Sequence, residues 1–236
     1  MSPLPTQMRD RWASRVEPGA GPGTVYWHVL MTRYPEAQAA ATAAQDVLRG
    51  LPGFHLTPEA WLHMTLFIAG STEHIGTPDR LAEMTTNVRA AVHDIEPIDV
   101  TVTRVLYHPE AVMLAVEPVG RLRRLRDVVL DATATTVGDL DTLPSSTWVP
   151  HMTVAYSTAG QAAAPVIGAL GKSVPEQRFV IDSFSLVVQW GPERRWNWES
   201  VDVVELRQDA PHLAALVAES LNIEPSFQAV MRASLM

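Results

Sequence analysis

Hydrophobic and polar positions along the chain predict strands that alternate with helices. Strands are predicted where β-branched and aromatic residues alternate with polar residues or run together: Thr24–Met31, Trp61–Ala69, Ile98–Tyr107, Val112–Val116, Val149–Tyr156, Arg178–Trp190 and Trp196–Leu206. Helices are predicted where apolar residues recur at helical spacing: Gln7–Arg15, Glu36–Arg49, Pro78–His93, Arg121–Thr135 and Pro211–Leu221. This order of elements is typical of an α+β protein.

Two of the predicted strands carry the same short motif, His63-Met64-Thr65-Leu66 and His151-Met152-Thr153-Val154. Side chains in a strand alternate between its faces, so the His and Thr of each copy share one face while the apolar residues face a core. A tryptophan, Trp61 or Trp148, precedes each copy. The repeat therefore predicts two matched half-sites around one small ligand.

A third match, His55-Leu56-Thr57, is followed by Pro58. Proline cannot donate to a strand ladder and disfavours a central strand. We therefore predict that His55 lies in a loop or at a strand entry, outside the site. The two remaining copies are each followed by a predicted hairpin, which indicates two lobes related by pseudo-symmetry, each giving one strand to a central cleft.

Composition limits the class of protein. The chain has 236 residues, a net charge of −8 and no cysteine, so disulfides, thiol catalysis and Cys-ligated zinc are excluded. The sequence shows no apolar run of about 18 residues that would span a membrane and no secretory signal; we expect a cytoplasmic protein. An acidic chain gains little from general attraction to phosphates, so a local pocket is expected instead of a broad nucleic-acid surface.

The paired motifs, with Pro150 before the second copy, resemble the two-histidine (2H) phosphoesterase superfamily in its branch of bacterial 2′-5′ RNA ligase-like proteins and cyclic phosphodiesterases. The resemblance covers roughly Val25–Leu206. We accordingly divide the chain into an N-terminal extension (1–23), a phosphoesterase domain (24–208) and a C-terminal helical tail (209–236). The resemblance implies a bilobed pseudo-twofold fold, with two antiparallel-rich sheets around a central cleft and helices outside.

The resemblance also implies roles for the motif residues. His63 and His151 would act as general base and general acid on a phosphodiester, commonly a 2′,3′-cyclic phosphate, while Thr65 and Thr153 bind its oxygens. It implies neither a metal nor another cofactor. The residue types suit this chemistry, because imidazole titrates near neutral pH and hydroxyls donate hydrogen bonds to phosphate oxygens. Which histidine is the base, and whether the protein hydrolyses or ligates, stays open.

Five further residues are candidates for substrate binding. Tyr26 and His28 share one face of the first long predicted strand, which lines the cleft or simply packs. Tyr156 ends the second motif strand and is a candidate to stack on a base or to fill the core. Arg194 and Arg195 lie in a hairpin turn, where they reach a phosphate or are merely solvated.

The other basic and aromatic residues are not assigned a direct role in ligand binding. No lysine or arginine is found near either motif to clamp a phosphate, so we expect a small nucleotide, an RNA end or a phosphorylated metabolite as ligand. The arginines that begin the fourth predicted helix are interpreted as a solvated face, although an RNA-contact patch is the alternative: Arg121, Arg123, Arg124 and Arg126. The tryptophans of the last hairpin, Trp190, Trp196 and Trp198, are interpreted as hairpin packing.

Two other classes of protein remain open. The same cleft could hold a nucleotide or phosphate without turnover, as a binding module. A metalloenzyme would use His63, His151 and His28, but the chain shows no close ligand pair such as H-E-x-x-H. We expect a monomer, with a dimer contact through the tail helix Pro211–Leu221 as the alternative.

Overall fold

The secondary structure follows most of the predicted pattern. A computed structural model describes residues 4–13, 15, 23–138, 140, 144–192, 194 and 197–207. Its strands are β1 Gln7–Met8, β2 Thr24–Leu30, β3 Phe54–Leu56, β4 His63–Ser71, β5 Ile98–His108, β6 Ala111–Glu117, β7 His151–Ser157, β8 Gln161–Ala162, β9 Ser173–Ile181, β10 Ser183–Gln189 and β11 Trp198–Glu205. Its α-helices are α1 Pro35–Arg49, α2 Thr72–Ile75, α3 Pro78–Val92, α4 Val119–Val137 and α5 Ala164–Leu170.

The described strands form two larger antiparallel sheets and one small one. The larger sheets have the orders β11-β10-β2-β4 and β3-β7-β6-β5-β9, and β1 pairs with β8. The two motif strands, β4 and β7, belong to different sheets, yet their Cα atoms come within 8 Å of each other. The predicted α+β fold, with two antiparallel sheets meeting at the motif strands, is confirmed.

Each hairpin belongs to the sheet of the other motif. The hairpin β5–β6 follows the first motif strand but joins the sheet of β7, and the hairpin β10–β11 follows the second but joins the sheet of β4. The prediction of one strand over Arg178–Trp190 is wrong. The chain divides at Asp182 into β9 and β10, which lie in different sheets. Both sheets are therefore built from both halves of the chain.

The helices cross over as well. Helix α1 follows β2 but packs on β7 and β9 of the other sheet, while α4 follows β6 and packs on β4. The buried face of α1 consists mainly of small side chains at helical spacing, which lets the helix approach the sheet closely: Ala37, Ala40, Ala41, Ala44, Gln45 and Leu48. Helix α3 starts as predicted, with the Thr77 hydroxyl accepting the N–H of Arg80.

A β-bulge interrupts both motif strands at the same motif position. Leu66 is the extra residue in β4 and Val154 in β7, because their neighbours on either side pair with consecutive residues of the adjacent strand. The backbone carbonyl of each extra residue accepts a hydrogen bond from a buried side chain of the helix that packs on that strand. Nε of Arg126 on α4 donates to the carbonyl of Leu66 at 3.1 Å, and Nε2 of Gln45 on α1 donates to that of Val154 at 3.0 Å. Helices α4 and α1 thus stabilise the bulges in β4 and β7.

Replacing Gln45 with leucine tests this support. The Gln45 amide also donates to the carbonyl of Thr57 at 2.7 Å, so Gln45→Leu leaves buried carbonyls without this donor and should lower the free energy of unfolding by about 1–3 kcal/mol. Urea unfolding followed by circular dichroism measures the change. The matched control is Gln38→Leu on the same helix, whose amide bonds to an exposed carbonyl. Equal losses in both variants would contradict the role of Gln45.

Where a helix, Gln7–Arg15, was predicted, the described residues form the short strand β1 and then bend and turn through Arg11–Ala13; that prediction is wrong. Its backbone is bonded to the body of the protein, with the N–H of Arg9 donating to Pro109 and that of Arg11 to Ser157. The side chain of Asp10 accepts the N–H of Trp12 and turns the chain there. The apolar residues at helical spacing do not form a helix here, because these hydrogen bonds occupy backbone N–H groups that a helix would pair internally.

Some predictions fall on residues that the structure does not describe. The tail helix Pro211–Leu221 and its dimer contact lie outside the described residues. The division into an extension, a domain and a tail stays a prediction. In the described part of the chain, no helix has the length and apolar character needed to cross a membrane.

Candidate active site

A cavity of about 290 Å³ opens where the two motif strands approach each other. It brings together seven of the nine predicted site residues: Tyr26, His28, His63, Thr65, His151, Thr153 and Tyr156. Its other lining residues are Arg11, Arg15, Ile68 and Gln189. The volume is near the lower end of the range of about 300–1,000 Å³ typical of small-molecule sites, which suits a small ligand.

Strand alternation aims the motif residues at this cavity. His63 and Thr65 face it from β4, while Met64 between them is buried in the core. His151 and Thr153 face it from β7, with Met152 buried in the same way. Two imidazoles and two hydroxyls therefore meet in one cavity, as the repeat predicts.

Both catalytic candidates are held in the same tautomer. Nδ1 of His63 lies 2.7 Å from the carbonyl oxygen of Trp61, and Nδ1 of His151 lies 2.7 Å from that of Val149. A carbonyl oxygen only accepts, so each Nδ1 must carry a proton and donate it. Each neutral imidazole consequently keeps the lone pair on Nε2, where it can take up a proton.

The bulges place one more residue of each strand on the cavity side. Strict alternation from His63 and His151 would turn Ile68 and Tyr156, each five residues further on, to the opposite face. The extra residue in each strand reverses that order, and both side chains line the cavity. Ile68 and Tyr156 are thus equivalent positions, one aliphatic and one aromatic.

A third histidine breaks the symmetry of the site. His28 lies opposite Thr65 in the β2–β4 pair, whereas Met113 lies opposite Thr153 in the β6–β7 pair. The His28 ring lies against that of His63, with centroids 4.3 Å apart and the ring planes tilted by 35°, and it contacts Tyr26 and Trp198. Its Nδ1 is buried. One half-site therefore has a second imidazole behind the first.

Burial shifts the titration of two of these histidines. It lowers the pKa of His28 well below 6.5, and the nearby His63 lowers it further. Burial also lowers the pKa of His151, helped by His108 and opposed by the hydrogen bond to Val149. Both side chains therefore favour the neutral form near pH 7, and a neutral His151 is suited to accept a proton.

The lowered pKa of His28 predicts a pH-dependent stability. Protonation favours the unfolded chain, because the folded pKa lies below the unfolded value of 6.5. Stability is full above pH 6.5 and falls on acidification, by up to about 1.4 kcal/mol per pH unit. His28→Met, which copies Met113 of the other half-site, should flatten this dependence between pH 7.5 and 5.5 in urea unfolding. The exposed control His93→Ala should keep the wild-type slope; an unchanged slope in His28→Met would contradict the argument.

The structure corrects the expectation that no arginine lies near the motifs. Arg11 and Arg15 both line the cavity and both bond to Glu110, at 2.8 and 3.2 Å. Burial raises the pKa of Glu110, but its hydrogen bonds and charge interactions with the two guanidiniums lower it on balance. Nothing in the local sequence indicates this, because Arg11 and Arg15 are distant from both motifs along the chain and reach the cavity through the N-terminal segment.

The remaining basic candidates lie elsewhere. Arg194 is not among the lining residues; its guanidinium lies over the Trp12 ring, 5.9 Å from the centroid. Arg195 lies outside the described residues. Arg126, expected on a solvated face, is buried and lies over the Trp148 ring.

The last hairpin contributes more than its own packing. Trp198 packs edge-on against His63, with ring centroids 4.8 Å apart, and against Trp61 at the same distance. It therefore forms an apolar wall beside the imidazole of the first motif. The sequence pattern gave no indication of this contact, because Trp198 reaches the site through the exchanged hairpin.

A metal centre was the other chemical alternative. Among the described residues, His28, His63 and His151 included, no group of three or more His, Cys, Asp or Glu side chains is placed to hold a metal ion.

Comparison with known proteins identifies the family of this sequence. The family model described as the 2′-5′ RNA ligase superfamily matches residues 34–193, more than half of the chain. The sequence gives no match among curated proteins. The family match includes both motifs but not Arg11 and Arg15.

Solved structures share the fold. The TT0787 protein of Thermus thermophilus superposes with a TM-score of 0.58 at 18% identity, covering 79% of this chain and 99% of its own. LigT of E. coli in complex with NADP+ gives a TM-score of 0.59 at 14% identity, and with 3′-AMP a TM-score of 0.57 at 13% identity; each alignment covers 79% of this chain and 99% of LigT. At these identities the likeness shows the fold alone.

Proposed function

Because the chain belongs to the 2′-5′ RNA ligase superfamily, we propose that it is a phosphodiesterase that opens 2′,3′-cyclic phosphates by two-histidine acid–base catalysis, without a metal. The observation that carries this proposal is the matched pair of imidazoles in one cavity, each with Nδ1 bonded to a backbone carbonyl. In-line displacement at phosphorus needs one proton acceptor and one proton donor. A pair of histidines supplies both near neutral pH.

In the proposed reaction a water molecule attacks phosphorus while one Nε2 takes its proton. The P–O3′ bond breaks, the other imidazolium gives its proton to O3′, and the product carries a 2′-phosphate; the family resemblance favours loss of O3′. The lowered pKa of His151 supports this residue as the acceptor, which leaves His63 as the donor. When a ribose hydroxyl replaces water, the same exchange of protons forms a phosphodiester, which is ligation.

The hydroxyls of Thr65 and Thr153 are assigned to the non-bridging phosphate oxygens. They share a cavity face with the histidines, and neutral donors stabilise the charge that gathers on these oxygens in the transition state. Tyr26 and Tyr156, which line the same cavity, are assigned to the nucleoside.

Ligands of a related fold support a nucleotide substrate. LigT has been crystallised with 3′-AMP, ATP, NADP+ and phosphate. The small cavity of this protein is lined by four polar motif side chains and two tyrosines, and these suit a phosphate joined to a nucleoside. We therefore propose a small nucleotide or an RNA end as the substrate.

Turnover of the four 2′,3′-cyclic nucleoside monophosphates in EDTA tests this function. We expect hydrolysis with 2′-monophosphates as products, identified by chromatography against both isomers. Binding of these nucleotides without turnover would contradict catalysis and favour a non-catalytic binding module. Activity that disappears in EDTA and returns with a divalent metal would contradict the metal-independent mechanism.

A further inference from the structure

Gln189 lines the cavity of the proposed active site and has no part in the proposed reaction. It ends β10 and is only 7% exposed, so the cavity is the main opening onto its side chain. In the described part of the chain, no group forms a hydrogen bond with its side-chain amide. The buried amide of Gln45, by contrast, donates to two backbone carbonyls. Because buried polar groups are normally paired, the amide of Gln189 is suited to bind a polar ligand in the cavity.

The register of the sheet places Gln189 beyond Tyr26 on the face that lines the cavity. Gln189 lies opposite Thr24 in the β2–β10 pair. Tyr26 and His28, two and four residues further along β2, share that face and line the same cavity. At about 3.3 Å per residue, Thr24 and His28 are about 13 Å apart along the strand. Since His28 lies opposite Thr65, the side chains on this face run from Thr65 past Tyr26 to Gln189.

The order of these side chains matches the order of groups in a nucleotide. Thr65 is assigned to the phosphate and Tyr26 to the nucleoside, so Gln189 faces the end of the ligand that is farthest from the phosphate, which is the base. A glutamine amide is uncharged and carries both an acceptor oxygen and donor hydrogens. This combination suits the edge of a base, where donors and acceptors lie side by side, better than phosphate oxygens, which accept.

We propose that Gln189 is a specificity-determining residue that hydrogen-bonds the edge of the substrate's base. This inference rests on the proposed function, which places the cyclic phosphate between the histidines. Turned one way, the amide accepts from the N4 amino group of cytosine; turned the other way, it donates to O4 of uracil. The preferred substrate is therefore a nucleotide or an RNA end that carries a base, and not a phosphorylated metabolite without one.

Gln189→Glu tests the contact by removing the donors while keeping the shape of the side chain. A carboxylate accepts from N4 of cytosine and is repelled by O4 of uracil. The ratio of kcat/KM for 2′,3′-cyclic CMP to that for 2′,3′-cyclic UMP should therefore rise by about tenfold or more over the wild-type ratio, as expected for one base contact. The added negative charge acts on both substrates alike and cancels in the ratio. An unchanged ratio would overturn the inference.

Gln189→Leu removes the donors and the acceptor together. We expect kcat/KM to fall by about tenfold for both pyrimidine substrates, mainly through KM, because the contact lies away from the reacting atoms. The matched control is Gln38→Leu, which removes an exposed amide on α1 that bonds to the carbonyl of Thr32 and should keep wild-type kinetics. Wild-type kinetics in Gln189→Leu would overturn the inference.

A binding measurement keeps this test separate from that of the proposed function. Calorimetry compares cytidine 2′-monophosphate with the base-free ligand 1-O-methylribose 2-phosphate on the wild type and Gln189→Leu. A loss of affinity in the variant that is confined to the cytidine ligand supports the base contact even if none of the cyclic substrates is hydrolysed, in which case the proposed function alone fails. Equal losses for the two ligands, or no loss for either, overturn the inference whether or not hydrolysis occurs.

Discussion

Replacing either His63 or His151 with alanine is expected to reduce kcat for 2′,3′-cyclic AMP by about 10²–10⁴-fold, the usual contribution of one positioned acid or base. Each variant keeps the other imidazole and both hydroxyls, so affinity for a 2′-monophosphate should fall much less than kcat. Steady-state kinetics with calorimetry of the product measures the two effects separately. The double variant should lose less than the product of the single losses, because the two groups act in one step.

The matched control for these variants is His93→Ala, since His93 is exposed and pairs with Asp94 away from the cavity. It should retain wild-type kinetics. The assignment of His151 as base has its own signature: the acidic limb of kcat/KM against pH should lie below 6.5, because activity is lost as the lowered pKa of this group is passed on acidification. Parallel losses of affinity and turnover in His63→Ala and His151→Ala would favour a binding module.

Replacing Thr65 or Thr153 with valine is expected to reduce kcat by about 10²–10³-fold, as loss of one oxyanion donor does elsewhere. Valine has nearly the shape of threonine, so the strand should keep its packing while the donor is lost. The decrease should appear in kcat more than in KM, because charge on the non-bridging oxygens peaks in the transition state. Kinetics on 2′,3′-cyclic AMP measures both.

Thr65→Ser and Thr153→Ser provide the conservative comparison, since they keep the hydroxyl and should retain most of kcat. A surface substitution, Thr86→Val on α3, controls for the general effect of the change. If the valine variants raise KM and leave kcat unaltered, the hydroxyls bind the ground state and do not stabilise the transition state.

The sequence predicted the motif strands and the residues that alternate along them. His63, Thr65, His151 and Thr153 follow from the two-residue period of a strand, because that period is a local property of the backbone. Helix α3 was predictable for a similar reason, since its cap at Thr77 depends on neighbouring residues. Properties of the local backbone were therefore sufficient to predict the four motif residues of the site.

Other features of the site depend on contacts between distant segments. Tyr156 reaches the cavity because a bulge at Val154 reverses the alternation, and that bulge is held by Gln45, which is far away in the sequence. Arg11 and Arg15 reach it because the N-terminal segment pairs with β8 instead of forming the predicted helix. A pattern of hydrophobic and polar residues carries no information on such pairings.

The exchange of hairpins and helices between the two sheets has a consequence for synthesis of the protein on the ribosome. His63 is translated early, yet the sheet behind it includes β10 and β11, which are the last described strands of the chain. Its bulge also needs Arg126, which is made much later. Domains usually fold as units during translation, the earlier part first. Here the strands that support both histidines are complete only after β11 has emerged, so a product truncated before β10 would carry both histidines without an organised site.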